Sequence, residues 1–114
     1  MLPKKSRIHL GHFPKQAEET RSFPLFALKA VTNQQGRNRF GIVVGRRTLK
    51  SAAKRHMWIR KLESACEGLS RGSSDIVVLL SSRATGENPE AVRNAVRRAL
   101  EDTLGERSRK SKKA

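Results

Sequence analysis

The feature that most constrains the fold is the run Ile76-Val77-Val78-Leu79-Leu80, five consecutive apolar residues opened by Asp75 and closed by Ser81. Residues on a strand alternate between its two faces. A run without a polar interruption therefore asks for cover on both faces. It is bounded by Gly72 and two serines on one side and by Ser81 and Ser82 on the other, too short for a buried helix. The chain must build neighbours on either side of this strand and layers that shield it. With 114 residues it can form one domain with a modest core.

The neighbours are found upstream. Residues 25–31 (Leu-Phe-Ala-Leu-Lys-Ala-Val) read as a strand, with Pro24 disfavouring helical geometry at Phe23. Residues 32–38 hold Gly36 and two asparagines and read as a turn. Residues 39–45 form the next strand, so an antiparallel hairpin of these two strands is expected. Residues 46–51 form a basic loop ending at Ser51, a good N-cap, and a helix is expected from Ala52 to about Leu69, stopped by Gly68 and Gly72. Its amphipathicity is imperfect, because Met57, Lys61 and Ser64 lie on a different stripe from Ala52, Ile59 and Cys66. A second helix is expected after Asn88 as N-cap, with Pro89 at the first position and Val92, Ala95, Val96, Ala99 and Leu100 facing a core. Near the N-terminus, Lys15 to Thr20 suits a short helix. The sum is an α+β, two-layer α/β sandwich with helices on one face of a small sheet. The domain is expected to span 1–104, including an N-terminal arm, with a basic disordered tail over 105–114.

Charge then decides the class of partner. The formal net charge is +15 at pH 7, and every charged side chain between Glu19 and Glu63 is positive. A single-sign stretch that also carries apolar strands repels itself and calls for an external polyanion. No apolar run is long enough for a membrane span, and no apolar stretch follows the N-terminal basic residues as in a signal peptide, so a cytoplasmic protein without a membrane role is expected. Cys66 is the single cysteine, which precludes an intramolecular disulfide, and its apolar surroundings mark it as core rather than nucleophile. His9 and His12 lack a second ligand pair, so no metal site is expected in the chain. No Ser/His/Asp or Cys/His set can be assembled, and no catalytic residue is assigned. RNA and DNA are the leading polyanions, and the expected nucleic-acid contacts are Arg46, Arg47, Lys50, Lys54, Arg55, His56, Arg60 and Lys61, along a loop and the helix it feeds.

These residues also carry a resemblance. Arg39-Phe40-Gly41-Ile42-Val43-Val44, the basic pair Arg46-Arg47, the approach Lys50-Ser51-Ala52, and Lys54-Arg55 with Arg60 together resemble the signature of the bacterial ribonuclease P protein subunit. The opening Leu2-Pro3-Lys4-Lys5-Ser6-Arg7, residues 21–28 and residues 75–80 are similar to the family's start, first strand and last strand. The chain departs from the pattern at His56, where the family has Asn, at Met57 and Ile59, where polar or basic groups are usual, and at Glu63, which sits out of register with the family's closing acid. The resemblance implies a left-handed βαβ crossover between parallel strands, against the usual right-handed rule. It implies that an RNA subunit performs the chemistry, cutting the 5′ leader from precursor tRNA with Mg²⁺ held mainly by the RNA. The protein's implied partners are the ribonuclease P RNA and precursor tRNA, with no protein partner required. A cleft between the N-terminal helix and one sheet face would hold the single-stranded leader, with Phe13 and Phe26 as stacking groups. The alternative is a ribosomal or general RNA-binding protein without processing activity. A DNA-binding architectural role ranks lower, because no helix-turn-helix pair or dimer seam is visible.

Overall fold

In the computed structural model, residues 6–8, 16–45 and 49–112 are described. The elements are β1 (Glu19–Ser22), β2 (Phe26–Thr32), β3 (Arg39–Val43), α1 (Ala52–Cys66), β4 (Ser74–Leu80), a 3-10 turn (Ser82–Gly86) and α2 (Pro89–Lys112). The apolar strand β4 lies inside the sheet, in the order β1-β2-β4-β3. It pairs antiparallel with β2 from Phe26↔Leu80 to Thr32↔Ser74 and parallel with β3 from Arg39↔Asp75 to Val43↔Leu79. The expected β2–β3 hairpin is therefore corrected. A hairpin would have left β4 with at most one neighbour beside β2 or β3, and one of its ladders open. Inserting β4 between them pairs its backbone on both sides and buries its apolar run. The hairpin that does form joins β1 to β2, with Glu19↔Ala30 to Ser22↔Ala27. Glu19 and Thr20, expected at the end of a short helix, belong to this edge strand, while residues 11–15 lie outside the described residues. The parallel pair β3 and β4 is joined through α1, the crossover connection that the resemblance implied.

Register sorts the sheet's two faces. Phe26, Leu28 and Ala30 of β2, Ile76, Val78 and Leu80 of β4, and Phe40 of β3 share one face and form the core with both helices. Helix α1 contributes Trp58, Leu62, Ala65 and Cys66 at helical spacing, and α2 contributes Val92, Val96, Ala99 and Leu100. Trp58 is 2% exposed, so this single tryptophan is a packed wedge between helix and sheet. Cys66 is buried, and its surroundings push the thiol up to about 12, leaving it an inert core group. Both helices start as the sequence indicates. Ser51 accepts from the Lys54 amide at 3.3 Å, and the Asn88 side chain accepts from the amides of Glu90 and Ala91 at 2.9 and 3.3 Å.

Polar side chains set the sheet's Asp75 end. Asn38 is fully buried; its amide nitrogen donates to the carbonyls of Leu69 and Arg71, and its oxygen accepts from the Ser74 amide. It pins the loop that delivers the chain into β4. Gly72 in that loop has φ +138, and a Cβ there would sit 2.5 Å from the Asn38 oxygen, so glycine is required on both counts. Beside it, Asp75 is 7% exposed and accepts two bonds from Arg39, at 2.8 and 2.7 Å, and one from Asn33 at 2.7 Å. The residue that opens the apolar run in sequence thus also anchors β3 and the 33–38 turn to β4.

The expected boundary at 104 is also corrected, because α2 continues through Gly105 to Lys112. One glycine costs a helix interior only about 1 kcal/mol, and the added turns are tied down. Arg107 donates to Glu18 and Ser74 at 2.9 Å each, to Thr32 at 3.2 Å and to Glu19 at 3.4 Å, while Glu106 pairs with Arg21. Hydrogen bonding from Arg107 holds the Glu18 carboxyl below its usual range. Burial pushes Glu19 the other way, but Arg21 and Arg107 outweigh it and lower that carboxyl too.

Two predictions follow from these contacts. Asn38→Ala leaves one buried donor and two carbonyls without partners and should lower stability by about 2–4 kcal/mol in urea unfolding followed by Trp58 fluorescence. Arg107→Ala should cost about 1 kcal/mol at neutral pH. Both carboxyls it serves have folded values below 4.5, so their contribution is present above that pH and lost as pH falls through the folded values. The stability gap between Arg107→Ala and the parent should therefore narrow on acidification from pH 6 to pH 3, as read by unfolding at each pH.

Candidate nucleic-acid interface

Helix α1 presents its outer side to solvent. Ala53, His56, Met57, Arg60, Lys61 and Ser64 line a shallow depression there, opposite the Trp58–Leu62–Cys66 core stripe. Its N-terminus carries no acid in the first turn, so the positive end of the helix dipole stands beside Lys50 and Lys54 without an internal counter-charge. Just before the helix, the Leu49 amide donates to the Gly45 carbonyl at 3.0 Å.

The fold divides the basic residues of this stretch into two groups. One group is used internally. Arg21 pairs with Glu19 and Glu106, and Arg39 with Asp75. Lys61 pairs with Glu90 of α2 at 2.8 Å, and hydrogen bonding from Lys61 holds the Glu90 carboxyl below its usual range. Arg55 turns back from the helix and donates to the carbonyls of Leu49 and Lys50 at 2.7 and 3.0 Å, fixing the loop before α1. The other group is outward. Lys50, Lys54 and Arg60 are exposed and form no ion pair among the described residues, and His56 is exposed beside them. Arg46 and Arg47, also expected at the interface, lie outside the described residues. The six of the eight expected contacts that are described thus become an open set of Lys50, Lys54, His56 and Arg60, a loop brace in Arg55 and an interhelical pair in Lys61.

The expected stacking groups fare differently. Phe13 lies outside the described residues. Phe26 is corrected: it points to the helix-covered face, is 5% exposed, and is capped by Phe23, whose ring stacks on it at 4.6 Å. The register that pairs Phe26 with Leu80 assigns it to the core, and an alternating strand offers no second choice.

Sequence reading missed the roles of Arg93 and Arg97. They reach from α2 to the C-terminal carbonyls of α1: Arg93 to Ser64 at 3.2 Å, and Arg97 to Ala65 at 3.2 Å and to Glu67. Two guanidinium groups there satisfy orphan carbonyls and oppose the negative end of the dipole. Helical spacing gave a usable signal, since both residues flank the Val92–Val96–Leu100 stripe rather than opposing it.

Among the described residues no three His, Cys, Asp or Glu side chains cluster as a metal site, and no helix is long and apolar enough to cross a membrane. Comparison with known proteins places this arrangement. Solved structures share the fold, among them two RNase P proteins. The RNase P protein of Staphylococcus aureus aligns with a TM-score of 0.64 at 19% identity, over 75% of this chain and 80% of that one. The RNase P protein of Thermotoga maritima aligns with a TM-score of 0.59 at 23% identity, over 72% of this chain and 80% of that one. Among proteins with curated descriptions, none matches the chain significantly. The family model for Ribonuclease P matches residues 12–104, spanning β1 to most of α2, and with most of the chain covered the protein belongs to the ribonuclease P protein family.

Proposed function

We propose that the chain is the protein subunit of ribonuclease P, binding the catalytic RNA and the 5′ leader of precursor tRNA and supporting Mg²⁺-dependent removal of that leader. The observation that carries this reading is the open cationic set Lys50, Lys54 and Arg60 at the start and on the outer side of α1, on a chain of this family. Arg21, Arg39 and Lys61 are held in internal ion pairs, whereas Lys50, Lys54 and Arg60 have none among the described residues and stand together around α1. Lysine and arginine heads set along a ridge suit successive phosphates, and Arg60 adds a planar fork for bidentate contact.

In this reading the RNA carries the chemistry and holds most of the Mg²⁺, and the protein's residues bind and orient. Arg55 serves by holding the carbonyls of Leu49 and Lys50, so that Lys50 and the helix N-terminus are presented together. Arg46 and Arg47, a few residues before Lys50 in sequence, add positive charge to the same segment. The +15 charge speeds encounter with any RNA, while the fixed ridge selects a backbone path. The cytoplasm is the compartment that this role requires.

Two measurements test the proposal. Lys50→Ala, Lys54→Ala and Arg60→Ala combined should weaken binding to the ribonuclease P RNA and reduce the salt slope of log K by about two to three units, since each phosphate contact contributes roughly −0.7 to −0.9. An unchanged slope removes α1 from the interface. In reconstitution, the protein alone should cut nothing. Protein plus ribonuclease P RNA should trim precursor tRNA at a lower Mg²⁺ concentration than the RNA alone. No gain over the RNA alone sinks the proposal.

A further inference from the structure

Phe23 is an exposed aromatic held in a fixed place. The residue is 37% exposed, and its ring lies nearly parallel to the Phe26 ring, with centroids 4.6 Å apart and 19° between planes. Phe26 is itself 5% exposed in the core, so the inner ring is immobilised and the outer one rests on it. The backbone is equally set. The Phe23 amide donates to the Phe26 carbonyl at 2.9 Å, closing the turn between β1 and β2, and Pro24 stiffens it. An exposed apolar side chain costs solubility; because Phe26 lies against one face of this ring, the surface that Phe23 exposes lies away from Phe26.

Topology says what lies around it. Phe26 pairs with Leu80, the last residue of β4, so the β1–β2 turn sits at the carboxyl end of β4. Strand β3 is parallel to β4 and ends at the same edge, Val43 facing Leu79, where the chain enters the loop leading to Lys50, Lys54 and the α1 N-terminus. The Ser81 amide donates to the Leu25 carbonyl at 2.9 Å, which draws the 3-10 turn with its exposed Arg83 against the same hairpin. One end of the sheet therefore collects a rigid aromatic face, Arg83, and the cationic start of α1. Strands β2 and β3 are separated there only by β4, a span of roughly 10 Å. Phe23 stacks on Phe26, on the side of the sheet that α1 and α2 cover, and it was not among the stacking groups expected from the sequence.

We infer that the outer face of Phe23 is a stacking platform for an unpaired nucleobase of a bound RNA strand, whose backbone runs past Arg83 toward Lys50 and Lys54. This rests on the proposed RNA-binding role and adds a specific contact to it. A stacked aromatic beside a cationic track is the general arrangement for single strands, because every base has a π-face and every nucleotide a phosphate. Duplex RNA has its bases already stacked and gains nothing from the ring. The base could come from the ribonuclease P RNA or from a precursor tRNA leader, and both offer the same chemistry.

The test uses the full chain with oligoadenylate and with duplex RNA of equal length. Phe23→Ala should weaken oligoadenylate binding by about five- to tenfold, the lower part of the range for loss of one stacked base. Duplex binding and the salt slope for both RNAs should not change, since stacking releases no counterions. Phe23→Trp should restore or strengthen oligoadenylate binding, while Phe23→Leu, which still covers Phe26, should not. Restoration by leucine, or an equal loss on duplex RNA, overturns the inference and makes Phe23 a core cover only. If Phe23→Ala fails to fold, the tryptophan and leucine variants alone decide the matter by the same comparison. Loss of oligoadenylate binding in the Lys50, Lys54 and Arg60 variant, with no effect at Phe23, removes the platform and leaves the RNA-binding role standing; no RNA binding by the parent chain removes both. Repeating the Phe23→Ala comparison with ribonuclease P RNA, and with precursor tRNA bearing or lacking its leader, identifies the source of the base by where the loss appears.

Discussion

Strand β4 is the constraint on which the rest of the structure depends. Its five apolar residues leave no polar face, so both neighbouring strands and a helical layer must be built around it. Placing it between β2 and β3 separates two strands that are adjacent in sequence. It also makes the β3–β4 connection a crossover, and a crossover needs a helix. That helix is α1. The apolar run in β4 thus dictates that the basic stretch after β3 begins where the parallel strands end and is carried over the sheet on the helix that returns to β4.

Electrostatics does the second part of the sorting. A chain of net charge +15 cannot neutralise its cations internally, and which ones remain outward is a matter of where the ten acids fall. Glu18, Glu19 and Glu106 gather Arg21 and Arg107 at the β1 edge. Asp75 takes Arg39, and Glu90 takes Lys61. Surface pairs of this kind contribute little stability individually, yet they have a consequence for binding. They engage Arg21, Arg39, Lys61 and Arg107 with acids and leave Lys50, Lys54 and Arg60 around α1 without one among the described residues. Guanidinium groups are also used on backbone carbonyls, Arg55 on the loop before α1 and Arg93 and Arg97 on the end of α1. The formal count of positive residues therefore overstates the number available to RNA.

Much of this was legible in the sequence. The β4 run, the Ser51 and Asn88 caps, the α1 span and the α+β layering follow from local pattern, and the family resemblance rests on contiguous residues now matched over 12–104. What local pattern could not supply was pairing. The 32–38 segment has turn composition whether it closes a hairpin or straddles the 70–73 loop, and only the demand of β4 for two neighbours chooses between them. Asn38 looked like a turn residue because a buried plug and a turn asparagine have the same sequence signature. Phe26 was assigned to the wrong face for a related reason: in Leu25-Phe26-Ala27-Leu28 both alternating sets are apolar, so register alone fixes the inward one. The 105–112 segment was misjudged because its partners, Glu18, Glu19, Arg21, Thr32 and Ser74, lie far away in sequence.

The central claim is that this cationic ridge serves one particular RNA rather than RNA at large. The most direct measurement is to purify the tagged full-length protein from its own cells at moderate salt and sequence the RNA that comes with it. The account predicts that ribonuclease P RNA is enriched far above its cellular share, with precursor tRNAs behind it. Recovery of ribosomal RNA in proportion to its abundance, without enrichment of ribonuclease P RNA, contradicts it.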